Sequence, residues 1–137
     1  MTDADDTAGD APGEVAPLDD PPRLIARIWQ GRTQASRAEE YTRYLYEAGV
    51  RKIAAIPGNR GVQMVRMVRD DVADFEVLSY WDSLDAVRLF AGDDIEKVRH
   101  LPRDPEYMIG PAPVVRHFEV IVNHWPEGQR DTAPARP

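Results

Sequence analysis

One stretch of the sequence decides the fold: Ser79-Tyr80-Trp81-Asp82-Ser83-Leu84-Asp85-Ala86-Val87-Arg88-Leu89-Phe90-Ala91-Gly92. Its hydrophobic period changes from two to about 3.6 residues within a single step, which predicts a strand that ends near Trp81 and a helix that follows directly. Asp82 or Ser83 is the expected N-cap of that helix. Trp81 therefore stands at a strand-to-helix junction, and its large ring with an indole N–H donor is a candidate wall of a ligand pocket.

The same periodicities predict the other elements outward from this junction. Strands are expected at residues 24–32, 61–69, 74–81 and 114–123. A helix is expected at 35–48, with Gly49 ending or kinking it. A short helical piece is expected at 95–99, before a proline-rich loop at 101–113 that is placed to cross a cavity mouth. The helix after Trp81 is expected to bury the stripe Leu84, Val87, Phe90 and Ala91.

The order β-α-β-β-α-β is the split ferredoxin-like arrangement, an α+β fold in which a four-stranded antiparallel sheet carries both helices on one face. The strands have large apolar side chains on both faces, whereas a sheet with one solvated face alternates hydrophobic with polar residues. Exposing about five or six of these side chains would cost several kcal/mol at roughly 25 cal/mol per Å². The sequence therefore predicts a homodimer in which two such sheets cover each other.

The chain of 137 residues supports one domain, expected at residues 23–123, between two tails. Residues 1–22 hold seven acidic side chains, four prolines and no Lys or Arg, a composition typical of a disordered acidic tail. Residues 124–137 are polar and contain prolines, which predicts a second flexible tail.

Charge and composition exclude several function classes. Without the seven acids of the tail, 17 acidic residues balance 17 Lys and Arg, so the basic excess of a nucleic-acid binder is missing. The absence of cysteine excludes a disulfide scaffold, a thiol nucleophile and a Cys-based zinc site. No export signal and no run of about 18 apolar residues is present, so we expect a cytoplasmic protein without a membrane partner.

Four segments carry a likeness to a known group: Ala26-Arg27-Ile28-Trp29-Gln30-Gly31-Arg32, Pro57-Gly58-Asn59-Arg60-Gly61-Val62, the stretch from Ser79 to Ala86 with Phe90-Ala91-Gly92, and Val115-Arg116-His117-Phe118-Glu119-Val120. On these segments, roughly residues 24 to 122 resemble the dimeric α+β barrel proteins of the antibiotic biosynthesis monooxygenase type. The resemblance implies a homodimer, a ligand cavity between each sheet and its own helices, and oxygenation of an aromatic or polyketide-like substrate without a cofactor. Related proteins degrade haem, isomerise lactones or cyclise reactive intermediates.

Candidate site residues follow from the strand faces. The face predicted to lie beneath the helices carries Leu24, Ala26, Ile28, Phe75, Val77, Val114, Phe118 and Val120. Its polar exceptions are the pocket candidates, together with two tyrosines from the helix, and Trp81 beside them is a catalytic candidate with His117 and His100. These substrate-binding candidates are Tyr41, Tyr44, Arg66, Ser79 and Arg116, with Arg66 included if Val62 and Met64 share this face.

The opposite face is predicted to carry Arg27, Trp29, Glu76, Tyr80, His117 and Glu119. Because the first strand of this fold lies between the third and the fourth, we expect Arg27 to meet Glu76 on one side and His117 with Glu119 on the other. This network, together with Trp29, is assigned to the dimer interface. The functional alternative makes His117 a catalytic base held by a carboxylate.

His100 is the second candidate base, because it precedes the proline loop and could reach a pocket mouth. No metal site is predicted, since His100, His117 and Glu119 lack a ligand spacing. A haem-degrading activity is disfavoured, since those relatives have an asparagine on the first strand and a histidine where Ala91 stands. Three functions stay open: a cofactor-independent monooxygenase, an isomerase or cyclase of secondary metabolism, and a non-catalytic ligand-binding or scaffold dimer.

Overall fold

The computed structural model describes residues 24–124, so the two predicted tails lie outside the described residues except for His124. Four strands form one antiparallel sheet in the order β2-β3-β1-β4. The predicted ferredoxin-like α+β fold is confirmed, as is the position of β1 between β3 and β4. The strands are β1 Ile25–Gln34, β2 Asn59–Arg69, β3 Val72–Trp81 and β4 Val114–Glu119.

One continuous helical segment connects β1 to β2 and covers the sheet. It begins with a 3₁₀ turn at Ala35–Arg37 and continues as α1, Ala38–Leu45. A π-helical turn at Tyr46–Val50 follows, and α2 closes the segment at Arg51–Ile53. Gly49 therefore does not end the helix as one alternative expected. It is buried in the π turn, where an added Cβ would lie 3.4 Å from the Leu101 side chain.

The predicted strand-to-helix junction is confirmed. Helix α3, Leu84–Ala91, follows β3 directly, and its N-cap is Ser83, whose hydroxyl accepts a hydrogen bond from the Ala86 amide. Before β2 the chain turns at Gly58, where φ is +90° and an added Cβ would lie only 2.6 Å from the Cβ of Ala86. Leu84 is exposed, so its place in the predicted buried stripe is wrong.

The connection from α3 to β4 differs from the prediction. Residues 95–99 contain a turn at 95–96 and continue as irregular chain rather than as a helical piece, and the short helix lies further on as α4, Asp104–Tyr107, inside the predicted loop. Pro105 does not prevent this helix, because a proline in the first helical turn removes an N–H that has no helical partner there. None of the described helices is long and apolar enough to cross a bilayer.

The strand register corrects the assignment of faces, since directly opposed residues lie on the same face of a sheet. Arg27 lies opposite both Ser79 and His117, and Trp29 lies opposite Val77. The face beneath the helices thus includes Phe75, Val77, Ser79 and Trp81 of β3, as predicted. It also includes residues that had been assigned to the bare face: Arg27, Trp29, His117 and Glu119.

The assignment of β1 and β4 was therefore inverted. Ala26, Ile28, Val114, Arg116 and Phe118 lie on the bare face. Both faces of these two strands carry apolar residues, so alternation alone does not say which side is covered, and a shift of one residue exchanges the faces.

Glu76 does lie on the bare face, where it accepts a hydrogen bond from Gln30, and so it does not meet Arg27. The predicted network of Arg27 with Glu76 is wrong, whereas the meeting of Arg27 with His117 is confirmed.

Candidate functional site

A cavity of about 220 Å³ lies between the covered face of the sheet and the helices. An engineered apolar cavity of roughly 150 Å³ holds one benzene ring, so this volume admits a ring with substituents. Arg27, Trp29, Val77 and Ser79 form the sheet side of the cavity. The remaining lining residues come from the helices and from the segment before β4: Leu45, Ala48, Gly49, Val50, Lys52, Ile53, Ile56, Phe90, Arg99, His100, Leu101 and Asp104.

Arg27 is the buried charge of this cavity. Its side chain is only 4% exposed, and its Nη1 donates a hydrogen bond to the Ile95 carbonyl at 2.7 Å. The guanidinium carbon also lies 5.4 Å from the centre of the Phe90 ring. Burial, and secondarily the charge of Arg99, lowers the pKa of Arg27 to about 10. Arg27 therefore remains a cation at neutral pH.

His117 holds Arg27 from the neighbouring strand. Its Nε2 lies 3.0 Å from Arg27 Nη1. Because arginine only donates, Nε2 is the acceptor, and the imidazole is neutral with its proton on Nδ1. Burial and the charge of Arg27 both lower the pKa of His117, while Glu96 acts in the opposite direction. His117 does not line the cavity.

Ser79 and Trp81 form a buried pair at the end of β3. The indole Nε1 of Trp81 donates to the Ser79 hydroxyl at 2.9 Å, and that hydroxyl lies 3.4 Å from the carbonyl oxygen of Arg27. The Trp81 ring is fully buried and stacks on Phe90, with 5.8 Å between ring centres. Ser79 thus reaches the cavity wall, whereas Trp81 supports the wall from behind.

Asp104 closes the cavity from α4. Its Oδ1 accepts a hydrogen bond from the Tyr41 hydroxyl at 2.9 Å, and its Oδ2 accepts one from the Leu101 amide at 2.9 Å. Burial, together with the nearby Asp104 charge, raises the pKa of Tyr41, so this phenol keeps its proton. The Tyr44 hydroxyl accepts a hydrogen bond from the Arg103 amide. Both tyrosines therefore fasten α4 to α1 and do not line the cavity.

The other predicted site residues lie away from the cavity. Arg66 joins β2 to α1 through hydrogen bonding to Thr42 and an ion pair with Glu39. It shares the covered face with Val62 and Met64, as the condition on its prediction required. Arg116 lies on the bare face, 5.6 Å from the centre of the Phe118 ring, so its assignment to the pocket was wrong. Glu119 is an exposed residue opposite Ile25.

Of the predicted catalytic and substrate-binding residues, Ser79 and His100 line the cavity. Arg27 and Trp29 also line it, although they had been assigned to a dimer interface. Sequence reasoning missed Lys52, Phe90, Arg99 and Asp104 as lining residues. The predicted proline loop was the available indication, since Asp104 lies within it and Arg99 just before it. Within residues 24–124 no three His, Asp or Glu side chains lie in an arrangement able to hold a metal ion.

No protein-family model matches this chain, and no curated protein sequence matches it. Solved structures do match it. A Caulobacter crescentus protein proposed to be an antibiotic biosynthesis monooxygenase aligns with 73% of this chain and 92% of its own, at 20% identity and a TM-score of 0.55. A Bacillus cereus protein proposed to have the same function aligns with 76% of this chain and 99% of its own, at 11% identity and a TM-score of 0.56. This chain has the antibiotic biosynthesis monooxygenase fold.

The antibiotic biosynthesis monooxygenase fold is shared by proteins of different chemistry. A haem-degrading protein from Mycobacterium tuberculosis aligns with 76% of this chain and 98% of its own, at 21% identity and a TM-score of 0.50. At such identities the likeness establishes the fold alone. The chemistry of this chain must therefore be argued from its own cavity.

Proposed function

We propose that this protein is a homodimeric small-molecule enzyme of the antibiotic biosynthesis monooxygenase type, which oxygenates an aromatic or polyketide-like substrate without a cofactor. The observation that carries the proposal is the cavity of about 220 Å³, which is walled by Trp29 and Phe90 and has His100 in its lining. Flat apolar walls favour a planar ring, and the imidazole of a histidine can accept a proton from a bound hydroxyl.

The reaction requires few groups from the protein. His100 takes the proton of a phenolic hydroxyl, and the resulting anion is electron-rich enough to reduce dioxygen directly. One oxygen atom enters the ring as a carbonyl and the other leaves as water, so one phenol and one dioxygen give one quinone and one water. The cations of the cavity stabilise the phenolate, and the apolar side chains of the lining reduce the water in contact with it.

The dimer is part of the proposal because of the bare face of the sheet. Val65, Met67, Val114 and Phe118 are about half exposed in the single chain. All four lie on the face that the helices leave uncovered. A second copy that lays the same face against this one would remove these side chains from water.

Two substitutions, one in the helical segment and one directly after its last residue, test the use of the cavity. Ala48 lines the cavity, so Ala48→Phe should fill it, whereas Ala54 is exposed and outside it, so Ala54→Phe is the matched control. Binding of 1-naphthol is measured by calorimetry, and turnover by oxygen uptake with metal-free protein. We expect both in the wild type and in Ala54→Phe, and neither in Ala48→Phe.

Other outcomes separate the alternatives. Binding without oxygen uptake or product would identify a non-catalytic ligand-binding protein. A product with the same elemental composition as its substrate would identify an isomerase or cyclase. A wild type that binds none of a panel of mono- and bicyclic aromatics would remove the proposal altogether.

A further inference from the structure

We propose that the cavity recognises a carboxylate on its aromatic ligand, through Arg27 from β1, Lys52 from α2 and Arg99 from the segment before β4. This inference rests on the proposed function and deepens it, because it assigns the ligand to the class of aromatic carboxylic acids. It depends on how the cations of the described chain are paired.

Cations outside the cavity are mostly paired with acids. Eight arginines within residues 24–124 form ion pairs with Asp or Glu side chains: Arg32, Arg37, Arg51, Arg60, Arg66, Arg69, Arg88 and Arg103. The three cations that line the cavity, Arg27, Lys52 and Arg99, form none in this part of the chain. Arg43, Lys97 and Arg116, away from the cavity, also form none, but no described cation that lines the cavity is paired, whereas eight of the eleven outside it are.

Arg27 is the strongest of these observations. A guanidinium has five N–H donors, and a cation removed from water is costly unless it is paired. Arg27 is only 4% exposed, yet its hydrogen bonds within the described chain, to Ile95 and His117, both use Nη1. Nε and Nη2 are left for a ligand. Their fork matches the two oxygens of a carboxylate.

Arg99 and Lys52 extend the same positive field. Arg99 Nη1 donates to the Phe90 carbonyl at 2.7 Å, which holds the guanidinium beside the Phe90 ring. The charge of Arg99 contributes to the lowered pKa of Arg27, as expected for two cations close together without an anion between them.

The one carboxylate in the cavity lining, that of Asp104, does not form an ion pair with these cations. Asp104 already accepts hydrogen bonds from Tyr41 and from the Leu101 amide, and it forms no ion pair with a described cation. Three cations against one occupied carboxylate leave the cavity with a net positive charge. Its apolar walls accept the ring, and the cations accept the acid group.

The test uses two probes of nearly equal shape, 2-naphthoate and 2-naphthamide, which differ in charge. Calorimetry on the full chain should show that naphthoate binds at least about tenfold more tightly, since hydrogen bonds to charged groups are the stronger kind. Arg27→Gln and Arg99→Gln should each remove most of this preference, with circular dichroism as the check on folding. Arg99 is exposed, so its variant remains informative if Arg27→Gln does not fold.

Arg116→Gln is the matched control. Arg116 lies on β4 next to His117, the partner of Arg27, but on the opposite face of the sheet. This variant should leave the preference unchanged. Equal affinities for naphthoate and naphthamide in the wild type would overturn the carboxylate inference while leaving the cavity as a ligand site. Loss of the preference in Arg116→Gln to the same extent as in Arg99→Gln would also overturn it. Failure of both probes to bind would reject the inference, and the proposed function would still stand if 1-naphthol binds.

Discussion

The indole N–H of Trp81 donates a hydrogen bond to the hydroxyl of Ser79, two residues earlier on the same strand, at 2.9 Å. Both side chains are buried, and Ser79 also lines the cavity. This bond connects the aromatic core beneath α3 to the cavity wall. Trp81 also stacks on Phe90, which lines the cavity. Trp81 therefore supports the cavity wall through Ser79 and Phe90 without lining the cavity itself.

Ser79→Ala should lower the free energy of unfolding by about 1–3 kcal/mol, because the buried indole N–H loses its acceptor. Chemical denaturation measures this loss. In a double-mutant cycle, Trp81→Phe removes the donor, so the Ser79→Ala cost should be smaller in that background. A cost that is the same in both backgrounds would show that the hydrogen bond is not its source.

His117 should make the protein less stable in mild acid. Its pKa is lowered in the folded state by burial and by Arg27, so the unfolded chain takes up a proton more readily. The stabilising effect is therefore complete above the unfolded pKa of about 6.5 and is lost as the pH falls toward the folded pKa. Denaturation at a pH of about 7.5 and about 5.5 should show this loss.

His117→Gln should flatten this part of the pH dependence, since glutamine keeps an acceptor for Arg27 but does not titrate. Arg116→Gln, on the opposite face of β4, is the matched control and should retain the wild-type slope. Equal slopes in the wild type and in His117→Gln would rule out His117 as the titrating group.

Tyr41→Phe should destabilise the fold by about 1–2 kcal/mol, because it leaves the buried Oδ1 of Asp104 without its donor. Tyr46→Phe is the control: this half-buried tyrosine makes no hydrogen bond within residues 24–124 through its hydroxyl. Thermal unfolding of both variants checks the expectation. A melting temperature for Tyr41→Phe that equals that of Tyr46→Phe would contradict it.

Phe118→Glu should convert the proposed dimer into a monomer. Phe118 lies on the bare face and is 45% exposed, so a second copy would bury the introduced carboxylate without a partner. Leu89→Glu, on the exposed side of α3, should leave the dimer intact. Sedimentation at micromolar concentration distinguishes the two states. A wild type that sediments as a monomer would reject the dimer.

The four strands and the helix after β3 could be predicted because each has a local pattern. The change of period at Trp81, the N-cap at Ser83 and the break at Pro57 and Gly58 all depend on residues close together in the chain. The end of the helical segment was harder to predict, because glycine often follows the last residue of a helix. Gly49 instead lies within the segment, where it packs against Leu101.

The candidate site was predicted only in part. Ser79 and His100 were identified from strand position and from the approach to the proline loop, and both line the cavity. Arg27 and Trp29 were placed on the wrong side of the sheet, because β1 has apolar residues on both faces. Arg99 and Asp104 were missed because a residue in an irregular segment has no periodicity that indicates where its side chain points.

The amino-acid pattern was sufficient for the element order, the topology and the resemblance to a fold, since these follow from local preference and from the need to bury apolar strands. Tertiary structure alone decided that Arg27 and His117 lie on the covered face and that three cations without ion pairs to described residues line one cavity. These outcomes depend on strand register and on contacts between residues up to 90 positions apart, such as Arg27 and His117. A shift of one residue in that register would have exchanged the two faces and turned Arg27 away from the cavity.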